Sequence, residues 1–186
     1  MEKIELENEI YPKKLKKIVD TPKMLYVEGN IENLNTNCLA VIGSRNCTKY
    51  GERWCKIFVR ELVEYDLTIV SGMALGIDSI AHNAAISAGG RTIAVLPSGL
   101  ENIYPQENIG LYKNILKTGG TVISEYSPKT KAGYNKFLER NRIVSGLSIA
   151  ILVIEAAHRS GTSVTARLAE SQNRDVYCIP RKFRQS

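Results

Sequence analysis

The hydrophobic positions fall in short, nearly unbroken runs separated by longer stretches of helical spacing. Apolar runs rich in valine and isoleucine occur at Leu39–Ile42, Leu67–Val70, Thr92–Leu96, Thr121–Ile123, Ile149–Ile154 and Val176–Ile179, with a shorter one at Met24–Val27. Runs this short, apolar at successive rather than alternate positions, suit strands covered on both faces. Between them the apolar residues recur every three or four positions, predicting helices over Tyr50–Glu64, Ile77–Ala88, Asn108–Lys117, Leu138–Val144 and Ser163–Ser171. A short basic helix is expected after Pro12, broken at Thr21 and Pro22. Strands alternating with helices of this length call for right-handed crossovers and a doubly wound, mostly parallel α/β sheet in three layers. No repeat or compositional break divides the chain. Residues 1–186 are therefore read as one domain, with residues 1–36 as an N-terminal extension packing on it.

The residues that follow each strand carry the candidate chemistry. Gly43, Ser44 and Arg45 follow the first central strand, Ser71 and Gly72 the second, and Pro97, Ser98 and Gly99 the third. Ser124 and Glu125 follow the fourth, and Ser160, Gly161 and Thr162 come soon after the fifth. In an open parallel sheet these positions lie at the carboxyl edge, where ligands bind and where helix N-termini face anionic groups. Arg45 adds a permanent cation whose planar fork suits phosphate. Taken alone, the Gly43 turn reads equally well as a tight connection bearing a solvated arginine. The recurrence of small hydroxyl residues and glycines favours a pocket for a phosphate-bearing ligand.

Charge points the same way. The chain has 186 residues, is 44% hydrophobic, and carries a formal net charge of +6 with a pI near 9.1. That permits one good core and an anionic partner. Lys129, Lys131 and Lys136 mark the long irregular stretch 125–135 as a basic loop. Lys136, Phe137, Arg140, Asn141 and Arg142 combine cations with a ring suited to base stacking. The same arginines are equally suited to pairing with Glu125, Glu139 or Glu155. Four scattered cysteines form no Cys-x-x-Cys pair, with Cys38 and Cys178 in strand-like runs, which fits a reducing, cytoplasmic setting. The N-terminus has no apolar leader region, and no stretch approaches the ~20 apolar residues of a membrane span. A Gly-x-Gly-x-x-Gly turn and a Gly-Lys-Ser/Thr loop are both missing, so a dinucleotide fingerprint and a P-loop are unsupported. His82 and His158 have no neighbours at metal-ligand spacing, and no metal is expected. Asp78 and His82, four apart, read as a first-turn aspartate and an ordinary histidine rather than a catalytic pair.

An ordered series of blocks resembles the DNA-processing protein A (DprA, or Smf) family. The blocks are Tyr11-Pro12 with Gly29-Asn30; Ile42 to Arg45 with Thr48 and Tyr50-Gly51; Ser71 to Asp78 with Ala81-His82; and Gly90 to Val95. They continue with Ile103 to Pro105; Ile123 to Tyr126; Phe137 with Arg140 to Arg142 and Gly146 to Ser148; and Glu155-Ala156 with Ser160 to Thr162 and Thr165 to Arg167. The resemblance implies an extended Rossmann-like fold without catalytic residues or cofactor. It also implies a cytoplasmic protein that binds single-stranded DNA with little sequence preference. Such a protein acts in natural transformation and recombination, loads a RecA-type recombinase and forms a homodimer.

Carried onto this sequence, the resemblance assigns DNA or phosphate contact to Gly43, Ser44, Arg45, Thr48, Ser71, Gly72, Lys136, Phe137, Arg140 and Asn141. Leu75 stands where many members carry arginine, and Arg181 where a glycine usually follows the proline. The small winged-helix-like domain of many members is not expected in this chain. Two other classes share the framework. A nucleotide phosphoribohydrolase of the lysine-decarboxylase-like family needs a glutamate where this chain has Thr165. A mononucleotide-binding module would use the same pocket for a single phosphate ester.

Overall fold

The computed structural model describes residues 1–157 and 160–180, so the readings made of His158 and Arg181 lie outside the described residues. The described residues form an eight-stranded sheet. Its strands are β1 (Glu2–Glu5), β2 (Met24–Gly29), β3 (Cys38–Gly43), β4 (Thr68–Ser71), β5 (Thr92–Val95), β6 (Thr121–Ser124), β7 (Ala150–Glu155) and β8 (Asp175–Cys178). They lie in the order β1-β2-β6-β5-β4-β3-β7-β8. Every pairing from β6 across to β8 is parallel. β1 and β2 extend the far side antiparallel. The helices are α1 (Lys49–Glu64), α2 (Ile77–Ser87), α3 (Ile109–Lys117), α4 (Tyr134–Leu147) and α5 (Gly161–Ser171).

Alternate residues of each central strand feed opposite faces, which is why the runs are apolar throughout. Leu39 and Val41 of β3, with Leu152 and Ile154 of β7, meet Cys55 and Val59 of α1 and Ile77 and Ala81 of α2. Ala40 and Ile42, with Ile151 and Val153, meet Ile143, Val144 and Leu147 of α4 and Ala169 of α5. Ala94, Leu96 and Val122 pack against Leu111 and Ile115 of α3. Each fully buried aliphatic side chain contributes about 1.5–3 kcal/mol, so the two interfaces hold the three layers together.

The structure differs from the pattern in four places. α4 starts at Tyr134 rather than Leu138, because Gly133, in extended conformation, is its N-cap. The exposed first residues Tyr134 and Asn135 carry no apolar periodicity to betray the turn. Arg140 to Arg142 therefore sit inside the helix, not ahead of it. The helix also runs on through Gly146, whose missing side chain lets Leu15 and Ile18 approach: a Cβ there would lie 2.7 Å from Leu15 Cδ1. Residues 1–36 contribute β1 and β2 to the sheet itself, and the basic segment forms only a 3-10 turn, Leu15–Lys17. β1 escapes the pattern because Ile4 alone of its four residues is buried. Cys38 is buried, whereas Cys178 is exposed on the end strand.

The sheet order reverses between β3 and β7. From β3 the chain winds outward through β4, β5 and β6, then returns to lay β7 and β8 on the other side. Connections leave β3 and β7 in opposite directions, so their carboxyl ends part and a crevice opens between them.

Candidate nucleic-acid interface

That crevice holds a cavity of about 540 Å³. Gly43, Ser44 and Arg45 from the end of β3 form one wall, Gly72 and Asp78 the floor, Phe137, Arg140 and Asn141 of α4 a second wall, and Gly161, Thr162 and Thr165 of α5 a third.

Backbone contact shapes the β3 turn. Ser44 N–H donates to the Glu155 carbonyl at 2.7 Å, and Ile77 N–H donates to the Ser44 carbonyl at 3.1 Å. The turn is pinned between β7 and α2 so closely that a Cβ on Gly43 would lie 2.6 Å from Ile77 Cγ1 and 2.9 Å from the Glu155 carbonyl oxygen. Gly76, the N-cap of α2, has φ +76° and would set a Cβ 2.3 Å from the Ser44 carbonyl oxygen. Only glycine meets both demands. Arg45 is exposed at the tip, with its guanidinium carbon 5.0 Å from the centroid of the Phe137 ring. Phe137 in turn meets Tyr104 edge to face at 5.4 Å. Arg45 has no ion pair among the described residues.

Four long helices begin at this edge: α4, whose first residue Tyr134 lines the cavity with no side-chain cap and no acidic first-turn residue, and three others that are not equivalent. At α1, the Glu155 carboxylate accepts from both the N–H and the hydroxyl of Thr48 at 3.0 Å, so an internal anion already occupies that N-terminus. At α2, the Ser44 carbonyl takes Ile77 N–H, while Asp78 in the first turn accepts from Gly72 N–H at 3.1 Å and Ala74 N–H at 3.4 Å. At α5, the N-cap Ser160 makes no side-chain capping bond, and the first turn holds no acidic residue. Among the described residues, no side chain caps the positive end of α5 where it faces the cavity.

Of the ten residues carried over from the family, seven line the cavity: Gly43, Ser44, Arg45, Gly72, Phe137, Arg140 and Asn141. Three do not. Thr48 caps α1 through Gly51 N–H and binds Glu155, so its polar atoms are already engaged. The Ser71 hydroxyl donates to the Val41 carbonyl at 2.7 Å and is wholly buried. Lys136 donates to the Lys131 carbonyl at 2.8 Å and lies 5.6 Å from the Tyr126 ring centroid, so it braces the basic loop.

Arg140 lines the cavity from beneath rather than flanking it. Only 4% exposed, it donates to the Gly72 carbonyl at 2.6 Å and to the Val95 carbonyl. Burial pulls its pKa down to about 10, with Asp78 opposing that fall and Arg45 adding to it. Burial likewise raises the Asp78 carboxyl, against the pull of Arg140 and of the N–H groups it accepts. Arg140 keeps its proton at neutral pH and lies with Asp78 beneath the cavity. Arg142 turns the other way, onto Glu125 at 2.6 and 3.0 Å and Asp20 at 2.7 Å. Both arginines of the motif are structural.

His82 does not touch Asp78. Its Nδ1 lies 2.7 Å from the Thr92 hydroxyl, which itself donates to the Ile69 carbonyl. The proton therefore sits on Nδ1, and Nε2 is left without a partner. Sequence reasoning missed Asp78 as the organiser of the Gly72 turn and Tyr134 on the rim. Asp78 carried a signal, its spacing from Gly72. Tyr134 carried none.

Fold and cavity together define an open α/β protein with a cavity at its switch point. The family model for DNA recombination-mediator protein A matches residues 2–186, and the chain belongs to that family. Protein Smf of Escherichia coli (strain K12) is 44% identical over 177 residues, covering 95% of this chain and 47% of that protein. The X-ray structure of DNA processing protein A (DprA) from Streptococcus pneumoniae superposes with a TM-score of 0.93 at 39% identity, over 99% of this chain and 64% of that one. DNA processing protein A from Helicobacter pylori, whose structure is described for its single-stranded DNA binding mode, gives a TM-score of 0.89 at 34% identity, over 100% of this chain and 84% of that one. The chain spans about half the length of the curated relatives it matches. The family and fold expected from the sequence motifs are borne out. No helix among the described residues is long and apolar enough to cross a membrane.

Proposed function

We propose that this chain binds single-stranded DNA with little sequence preference and performs no bond chemistry. The observation that carries this reading is the cavity at the switch point, where the unpaired cation of Arg45, the aromatic face of Phe137 and the open N-terminus of α5 converge. Phosphate is drawn by the cation and by the helix dipole, and a base finds a π-face beside them. None of these elements reads a base edge, so affinity follows the backbone and the stacking rather than the sequence. The description of the H. pylori relative supports the same ligand.

The phosphoribohydrolase alternative is disfavoured by the same geometry. Thr165, at the position needing a glutamate, is buried and donates its hydroxyl to the Gly161 carbonyl at 3.1 Å. Glu125 is held by Arg142 and Glu155 by Thr48, so neither carboxylate is free in the cavity. In the same reading the protein is cytoplasmic, acts in DNA uptake and recombination, pairs with a second copy and hands its strand to a RecA-type recombinase. Names of relatives as DNA processing and recombination-mediator proteins support that assignment.

Titrating labelled single- and double-stranded oligonucleotides against salt, with fluorescence anisotropy as readout, tests the proposal. Single strands are expected to bind tighter, because a duplex hides the base faces, and affinity should fall steeply with salt. Equal affinity for duplex, or release of free base from nucleoside monophosphates at enzyme-like rates, would overturn it. Binding that does not tighten with oligonucleotide length would point instead to a mononucleotide module.

A further inference from the structure

Resting on the strand-binding reading, we propose that the bound strand leaves the cavity across the loop 125–133, where Lys129 and Lys131 take successive phosphates. The loop is irregular in sequence but tied down throughout. Gly99 N–H donates to the Thr130 carbonyl at 2.9 Å, Glu101 N–H to the Pro128 carbonyl at 2.9 Å, and Asn102 Nδ2 to the Lys129 carbonyl at 2.7 Å. Thr130 N–H closes the turn onto the Ser127 carbonyl at 2.9 Å, and Lys136 Nζ grips the Lys131 carbonyl from α4. A Cβ on Gly99 would lie 2.0 Å from the Ser127 carbonyl oxygen, so the loop is pressed onto its neighbour. Its two lysines are thereby presented from a fixed backbone, exposed and without ion pairs among the described residues.

Placement links the loop to the cavity. It runs directly into Tyr134, which is 81% exposed and lines the cavity rim. Cations spaced along an exposed path beside an aromatic rim suit the backbone of a single strand. At the exit past α1 the Glu155 carboxylate sits at that helix's N-terminus, while Glu52 in its first turn is paired with Lys49 and Lys56. On the loop side Glu125 is neutralised by Arg142, and the Glu139 carboxylate is engaged by the Tyr126 hydroxyl at 2.7 Å. Exposed Glu101, beside Pro128, opposes phosphate beyond Lys129 and marks the end of the track.

The test compares Lys129→Glu/Lys131→Glu with the unmodified protein, using oligothymidylates of about 4 and about 16 nucleotides, the range of site sizes for one binding fold. The short strand, held by the cavity, should bind both proteins within about twofold. The long strand should bind the variant about tenfold or more weaker, with a salt slope lower by roughly 1.4, two contacts at about 0.7 each for single strands. Lys129→Ala/Lys131→Ala should show the same slope change with a smaller loss, which separates lost contacts from introduced repulsion. An unchanged long-strand affinity and slope, with Arg45→Ala still impaired, would overturn the exit path while leaving the cavity assignment standing. Failure of the unmodified protein to bind either strand would overturn both.

Discussion

The carboxylate of Glu155, at the end of β7, sits 3.0 Å from both the N–H and the hydroxyl of Thr48, at the start of α1. Through that contact the protein supplies its own anion to the helix following the Gly43–Arg45 turn. Under the proposed function, this leaves the N-terminus of α5, on another wall of the cavity, to face phosphate. The helix after the glycine turn is thus already supplied with an anion.

Glu155→Gln should keep the hydrogen bond to Thr48 but remove its charge. Stability is expected to fall by about 0.5–1 kcal/mol, the size of a charge–dipole interaction at a helix end, in a urea titration. Affinity for single-stranded oligonucleotide should rise, because a carboxylate beside the cradle is lost. A fall in affinity in the same anisotropy assay would mean that Glu155 helps rather than hinders the ligand.

Arg45 is exposed and its one aromatic contact is worth only about 0.5–1 kcal/mol. Arg45→Ala should leave the urea midpoint almost unmoved while weakening binding to oligonucleotides of every sequence by a similar factor. The salt slope should drop by about 0.7, one phosphate contact on a single strand. A loss confined to one base composition would show that the arginine reads bases.

Arg140→Met removes the donor to two buried carbonyls, Gly72 and Val95, and leaves Asp78 without its neighbouring cation. Breaking one side of a buried charge arrangement costs about 3–5 kcal/mol. The expected result is a large loss in the denaturation midpoint, in contrast to Arg45→Ala. Should Arg140→Met retain full stability, the guanidinium is not the clamp described for the Gly72 turn.

Gly76→Ala forces a side chain into a left-handed position 2.3 Å from the Ser44 carbonyl oxygen. Backbone on both sides prevents relief, so destabilisation of about 1–3 kcal/mol is expected. Oligonucleotide binding should weaken with it, since Ser44 and Arg45 move with that carbonyl. Thermal unfolding and anisotropy on the same preparation check both halves.

His82 titrates near pH 3 in the folded protein, held down by burial and then by the charge of Arg140. Its ordinary value is about 6.5. Below that pH the unfolded chain takes up a proton that the native state refuses, so stability falls as pH drops from about 6.5 towards 3. The slope due to this group approaches about 1.4 kcal/mol per pH unit. Comparing urea stability with His82→Gln across that window isolates it: the variant should lack this share of the acid sensitivity. Parallel pH profiles for the two proteins would sink the assignment.

Much of the framework was legible in the residue pattern. The six predicted central and outer strands and five helices are all present, because a run such as Leu39–Ile42 must be covered on both faces to be stable. Less legible was anything decided at an exposed edge. β1 shows one buried residue, Ile4, and so offers no pattern. The first turn of α4 is solvated, so its start was set four residues late. The motif around Arg140 was readable as chemistry but not as direction: Arg140 and Arg142, two residues apart on one helix, point to different partners.

By itself, the sequence determined the sheet, its parallel winding, the glycines of the Gly43 turn and the position of cation-bearing loops at one edge. Those follow from local periodicity and from backbone sterics, which neighbouring residues impose on one another. Only the tertiary structure decided which of those polar groups remain free. Thr48 meets Glu155 across 107 positions of sequence and Arg140 meets Gly72 across 68. Whether a charge faces solvent or a carbonyl depends on which distant segment packs against it. That packing leaves Arg45 and the N-terminus of α5 open to the cavity.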